Sequence, residues 1–131
     1  MTKHILYAYV CGNRIDECAA DLIEAFDDLI AKRSWVNDDV FCVDQVSDGT
    51  TDHQLGINIS LPDPGEERYG WFSDIIAIAE LLAQLSSCTR REFAIGIFDT
   101  QTQISEDLHY VRSSDPDIDR LRAIIGVGEI E

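Results

Sequence analysis

The spacing of apolar residues predicts five β-strands along the chain. Residues 4–11 (HILYAYVC) and 91–99 (REFAIGIFD) are apolar on both faces, which is typical of strands inside a sheet. Residues 52–61 alternate between apolar and polar positions and predict a half-buried strand. Residues 39–46 and 104–112 complete the set. We expect 39–46 to form a hairpin with 52–61, and 104–112 to pair with 91–99.

Three further segments have the periodicity of helices. Residues 14–33 carry one apolar face, and Asn13 is the predicted N-cap. Residues 71–88 are apolar around most of their circumference, which predicts a helix largely buried against the sheet or a partner. Asp115 as N-cap and Pro116 at the first helical position predict a short third helix.

The predicted order of elements, β-α-β-β-α-β-β-α, indicates an α+β fold in a single domain that spans residues 1–131. We expect a two-layer sandwich in which a mostly antiparallel sheet carries its helices on one face, ferredoxin-like or close to it. Gly56 and Gly96 fall on the outward sides of their strands. They permit close approach by another backbone, or they mark a bulge or the seat of a docked C-terminal helix.

The charge balance is the unusual property of the composition. The chain has 25 acidic and 10 basic residues, a net charge of −15. Such a charge repels phosphate backbones and anionic lipids and attracts cationic partners, so we expect neither a nucleic-acid nor a membrane partner. We interpret the apolar N-terminal run as a strand and not as a secretory signal, and we expect no apolar run long enough to span a bilayer. We therefore expect a cytoplasmic protein with reduced cysteines.

The residue types that usually carry catalysis or bind metals form no motif. Three histidines and four cysteines occur without the spacing of a zinc site, and no glycine-rich phosphate loop is present. Cys42 with His53 or His109 could form a nucleophile pair in space, but nothing local marks them. The sequence thus predicts a protein that is not an enzyme and has no metal or cofactor.

Four acidic residues lie on one line along the first predicted helix, at spacings of four, three and four: Glu17, Asp21, Glu24 and Asp28. Like charges at these spacings destabilise an isolated helix by about 0.2–0.5 kcal/mol per pair, and a Lys/Arg-rich partner would offset that cost. Residues 38–67 contain further acids and no Lys or Arg. Tyr69 is the predicted aromatic anchor. The predicted partner-binding residues are Glu17, Asp21, Glu24, Asp28, Asp38, Asp39, Asp44, Asp48, Asp52 and Tyr69.

A small, acidic, single-domain α+β chain with no visible catalytic motif resembles bacterial immunity proteins. These antitoxins bind and block a cognate toxin domain, often a basic nuclease, in contact-dependent inhibition and related systems. The resemblance lies in charge, size and architecture, and it implies a cytoplasmic inhibitor that occludes a basic partner.

Two alternatives remain open for the function. One is a small enzyme or ligand-binding domain with a pocket between the sheet and the helices, where Asp99, His109 and Cys42 are the first residues to inspect. The other is an oligomerising structural subunit that uses the apolar second helix or the open face of the sheet. The sequence does not predict the oligomeric state.

Overall fold

The fold is an antiparallel five-stranded sheet with helices on one face. It is seen in a computed structural model, which describes residues 4–12, 15–37, 39–46, 53–61, 70–113 and 115–125. A 3₁₀ turn (Ile15–Glu17) precedes the first helix. The elements in chain order are β1 (His4–Val10), α1 (Ala19–Lys32), β2 (Val40–Val46), β3 (His53–Ser60), α2 (Trp71–Thr89), β4 (Phe93–Asp99), β5 (Ile104–Val111) and α3 (Ile118–Ile125).

The strand order, β2-β3-β1-β4-β5, confirms the predicted α+β sandwich. All neighbouring strands are antiparallel, and the hairpins expected for β2–β3 and β4–β5 are both present. Because β3 lies between β1 and β2, the first six elements follow the split β-α-β pattern of ferredoxin-like folds. Strand β5 extends this unit at the β4 edge. Strand β1, which is apolar on both faces, lies at the centre as predicted.

The hydrophobic core lies between the sheet and its three helices. Helix α1 packs against β2 and β3, whereas α2 and α3 contact β5. The expectation that no run could span a bilayer is wrong by length and composition, since α2 is long and apolar enough. In this fold α2 buries nine residues, the first Trp71 and the last Ser86, within the molecule. The fully buried large side chains are Phe26, Phe93, Leu6, Leu22, Leu55, Ile57, Ile59, Ile75, Ile78, Leu82, Ile95 and Leu121.

The first helix begins later than its periodicity predicted. Helix α1 starts at Ala19, and Cys18 occupies the N-cap position. The carbonyl of Ile15 accepts hydrogen bonds from the Cys18 backbone N–H (3.0 Å) and from its thiol (3.3 Å), which closes a tight turn ahead of the helix. The predicted start at residue 14 is therefore wrong, and the predicted cap, Asn13, lies outside the described residues.

The third helix also begins two residues after its predicted start. The Asp115 carboxylate accepts a hydrogen bond from the Asp117 N–H (2.9 Å), a local turn that competes with helix formation. Asp117 is left-handed (φ 50°), and its carbonyl accepts the N–H of Leu121 (3.1 Å). Helix α3 therefore starts at Ile118, and Asp117 takes the capping position predicted for Asp115.

The two outward-facing strand glycines make room for tyrosines of the same sheet. Tyr9 pairs across the strands with Gly56, and Tyr7 pairs with Gly96. A Cβ atom on Gly56 would lie 1.9 Å from the Ala8 carbonyl oxygen, and one on Gly96 would lie 2.2 Å from the Tyr7 hydroxyl. The register between β4 and β5 also shifts just before Gly96, so the bulge alternative is confirmed there. The α3 helix lies on the other face, so the docked-helix alternative is wrong.

Candidate functional site

Helix α1 presents carboxylates on the face opposite the core. Leu22 and Phe26 are fully buried, whereas Asp21, Glu24 and Asp28 are exposed. This separation follows from the 3.6-residue period of the helix, which places the apolar and acidic positions on opposite sides. The fourth predicted member, Glu17, is exposed but lies in the 3₁₀ turn before α1. The predicted line of acids therefore runs over two elements, not along one helix.

The acidic line is partly paired within the chain. Lys32 Nζ lies 2.9 Å from Asp28 Oδ1, one helical turn away, and Glu17 also interacts within the molecule. Two of the four predicted acids on this line, Asp28 and Glu17, therefore already interact within the chain. The Asp28 and Lys32 side chains remain 55% and 75% exposed, so their pair contributes only about 0.3–0.5 kcal/mol. A partner can displace Lys32 from Asp28 with little loss.

Strand β2 adds an acidic group beside α1. Burial raises the pKa of the Cys42 thiol, and the negative charges of Asp27 and Asp44 raise that pKa further. Asp27 is on α1 and Asp44 on β2, so the packing of α1 against β2 brings acids of both elements to the same thiol. We call Asp21, Glu24, Asp27, Asp28 and Asp44 the α1–β2 acidic surface; all five are exposed.

Asp27 belongs to this surface although the regular spacing of acids on α1 does not predict it. It is adjacent to Asp28 and is exposed. Asp39 is exposed directly before β2 and has a left-handed backbone (φ 53°). The predicted positions Asp38, Asp48, Asp52 and Tyr69 lie outside the described residues.

The described basic residues of α1 do not neutralise this surface as a whole. Lys32 is paired with Asp28. The guanidinium of Arg33 turns inward, with Nη2 3.1 Å from Asp74 Oδ1 and 3.0 Å from Ser73 Oγ. The other described arginines belong to the segment after α2, the end of β5, and α3. Within the described chain, the α1–β2 acidic surface thus keeps a net negative charge.

Cys42 and His109, one of the predicted nucleophile pairs, are not brought together, and the side chain of His53 lies outside the described part of the chain. Cys42 is on β2 and His109 on β5, the two opposite edges of the sheet, so four strand spacings separate them by roughly 19 Å. His109 is buried, with Nε2 3.0 Å from the Pro116 carbonyl oxygen. Asp99, the third residue considered, has its Oδ2 3.7 Å from Nε2 of His4 on the neighbouring strand β1. The layer between sheet and helices, where a pocket was considered, is occupied by the buried core in the described part of the chain.

A groove of about 460 Å³ lies on the sheet face away from the helices. Strands β1, β3, β4 and β5 all contribute to this open-face groove. Its lining includes Ile5, Tyr7, Tyr9, Asn58, Phe98 and Asp107.

Hydrogen bonds tie two tyrosines to one carboxylate at this groove. The Tyr7 hydroxyl donates to Asp107 Oδ1, and the Tyr110 hydroxyl lies 3.3 Å from Oδ2. Burial raises the pKa of Tyr7, and the hydrogen bond to Asp107 raises it further. Burial also raises the pKa of Tyr9, and a hydrogen bond from the Asn58 side chain lowers that pKa by a smaller amount. The charge of Asp107 raises the pKa of Tyr110.

These shifts predict an alkaline titration that differs between the folded and unfolded chain. Three of the four tyrosines should ionise above their ordinary pKa of 10.0 in the folded state. Above that pH the folded chain then binds more protons than the unfolded chain, so the free energy of unfolding should fall as pH rises. Phenolate absorbance in buffer and in urea measures both curves. Tyr7→Phe should remove the latest-ionising group, and tyrosines that all titrate together near pH 10 in the folded state would contradict the assignment.

Comparisons with known proteins give no functional assignment. No protein-family model, curated protein or solved structure matches the chain. Among the described residues, no three His, Cys, Asp or Glu side chains are grouped to hold a metal ion. Function is therefore inferred from the geometry and charge of the chain itself.

Proposed function

We propose that this chain is an acidic binding protein that neutralises a cationic protein partner by occlusion. The partner class that fits best is a toxin domain such as a basic nuclease, with this chain as its cytoplasmic immunity protein. The observation that carries the proposal is the α1–β2 acidic surface, where two elements present exposed carboxylates side by side and the described basic groups nearby are paired.

The mechanism follows from electrostatics and surface complementarity. A chain with net charge −15 accelerates encounter with a positive surface, and clustered carboxylates orient it. Arg and Lys side chains that hold nucleic-acid phosphates accept carboxylates in the same positions, since both anions suit charge-assisted hydrogen bonds. A nuclease covered in this way could not bind its substrate. No catalytic group of the immunity protein is needed.

Charge reversal on α1 tests this mechanism. The double variant Asp21→Lys/Glu24→Lys should bind its partner at least about 10-fold more slowly at low salt, because steering by the acidic surface is lost. Added salt should shrink the difference between variant and wild type, since it screens both. Stopped-flow association with the stoichiometric partner that co-purifies from the native host measures these rates.

A matched control separates the effect of this surface on the association rate from the effect of the total charge. Glu80→Lys/Asp119→Lys changes the net charge by the same amount at exposed positions of α2 and α3. We expect this control to slow association much less than the α1 variant. Equal slowing by both variants, unchanged rates for the α1 variant, or a stoichiometric partner without a basic surface would each reject the proposal.

A further inference from the structure

The open-face groove combines aromatic rings with a carboxylate. Tyr7 and Tyr9 lie with their ring centroids 5.1 Å apart and their planes inclined by 34°. Phe98 lines the same groove, and Asp107 lies on the β5 side. The faces of aromatic rings are electronegative and attract cations within about 6 Å, most strongly where water is displaced. The groove thus offers both a negative charge and surfaces on which a cation can stack.

The polar groups of the groove leave hydrogen-bond acceptors unused. Asp107 receives hydroxyls from Tyr7 and Tyr110, two neutral donors that do not cancel its charge. No described basic residue forms an ion pair with Asp107. Asn58 Oδ1, on the β3 side of the groove, is buried and has no hydrogen-bond partner among the described residues. A ligand that fits these groups must bring N–H donors and positive charge.

The size of the groove suits a small molecule. A volume of about 460 Å³ lies within the usual range of about 300–1,000 Å³ for ligand pockets. An anionic ligand would meet Asp107 and the net charge of the chain, so these electrostatics select against it. The groove lies on the opposite sheet face from α1, so it is separate from the surface proposed to bind a protein partner.

We propose that the open-face groove binds a small organic cation with N–H donors, an alkylguanidine or alkylamine. Its charged head donates to Asp107, and its alkyl chain lies against the aromatic rings that line the groove. Binding supplies a counter-charge for Asp107. This site functions independently of the α1–β2 acidic surface.

Propylguanidine and its neutral isostere propylurea test this site. Titration of the full chain, followed by backbone amide NMR, should show saturable propylguanidine binding with shifts centred on the outward residues of β1, β3, β4 and β5. Asp107→Asn should weaken it by about 10-fold or more, as for the loss of one charge-assisted hydrogen bond. Asp119→Asn on α3 removes the same charge elsewhere and should leave the affinity unchanged.

Specific outcomes would overturn the proposal. Equal binding of propylurea and propylguanidine would remove the role of charge. Equal weakening by Asp107→Asn and Asp119→Asn would reduce the effect to general attraction by an acidic protein. Tyr7→Phe keeps the ring but frees one oxygen of Asp107, so this variant should bind propylguanidine at least as tightly as wild type. Loss of binding in a folded Tyr7→Phe chain would contradict the site.

Discussion

Replacing Asp74 by alanine should lower the free energy of unfolding by about 3–5 kcal/mol, the usual loss when a buried ion pair is broken. Asp74 lies in the first turn of α2 and is completely buried. Its Oδ1 accepts a hydrogen bond from Arg33 Nε (3.2 Å), and Arg33 Nη2 forms an ion pair with the same oxygen at 3.1 Å. Its Oδ2 accepts the backbone N–H groups of Val36 and Asn37 (2.8 Å each) and Asn37 Nδ2 (2.9 Å).

This carboxylate fixes the route of the chain from α1 to β2. Residues 33–37 leave α1, and their donors converge on Asp74. Without it, the Arg33 guanidinium and two backbone N–H groups lose their acceptor in a partly buried place. Because the α1–β2 acidic surface depends on this junction, partner binding should weaken along with stability.

Urea unfolding followed by far-UV circular dichroism measures the loss at Asp74. Glu80→Ala is the matched control, since Glu80 is an exposed acid on the same helix and should change stability by no more than about 0.5 kcal/mol. Asp74→Asn keeps an acceptor oxygen but loses the charge, so its free energy of unfolding should lie between those of Asp74→Ala and Glu80→Ala. An Asp74→Ala chain within 1 kcal/mol of wild type, by the scale of ordinary single mutations, would contradict this account.

Phe26→Ala should also destabilise the fold by about 3–5 kcal/mol. Phe26 is the largest fully buried side chain of α1 and packs in the core between that helix and the sheet. Truncation removes apolar contact area and leaves a cavity that the neighbouring strands cannot fill without moving. The same urea experiment should show a lower midpoint with little change in its slope.

Two variants of the same helix bracket the Phe26 result. Phe26→Leu keeps most of the apolar volume and should lose less than alanine. Glu24→Gln changes the exposed face of α1 and should leave stability within about 0.5 kcal/mol of wild type. If Phe26→Ala were as stable as Glu24→Gln, the packing of α1 on the sheet would be wrong.

The predicted elements agree with the structure where a periodic pattern covers many residues. All five strands and three helices were expected, and the interior positions of β1 and β4 followed from their two apolar faces. The first residues of the helices were less well predicted, because local hydrogen bonds at Cys18 and Asp117 decide where α1 and α3 begin. Such bonds depend on a few atoms and leave little trace in a hydrophobic pattern.

The candidate sites were predicted only in part. The acidic residues of α1 could be read from their spacing, since exposure on a helix follows its period. The grouping of Asp27 with Asp44 and the open-face groove could not, because the first depends on how α1 packs against β2 and the second on the order of the strands. The outward tyrosines of β1 were visible in the sequence, but their alignment with Gly56 and Gly96 required the strand register.

The sequence by itself determined the types of elements, the buried face of α1 and the excess of negative charge, because these depend on local period and composition. Only the tertiary structure decided that Asp74 gathers donors from residues 33–37, and that Cys42 and His109 stand on opposite edges of the sheet. Those contacts join residues far apart in the chain. Strand order and helix packing set them, and no local pattern encodes either.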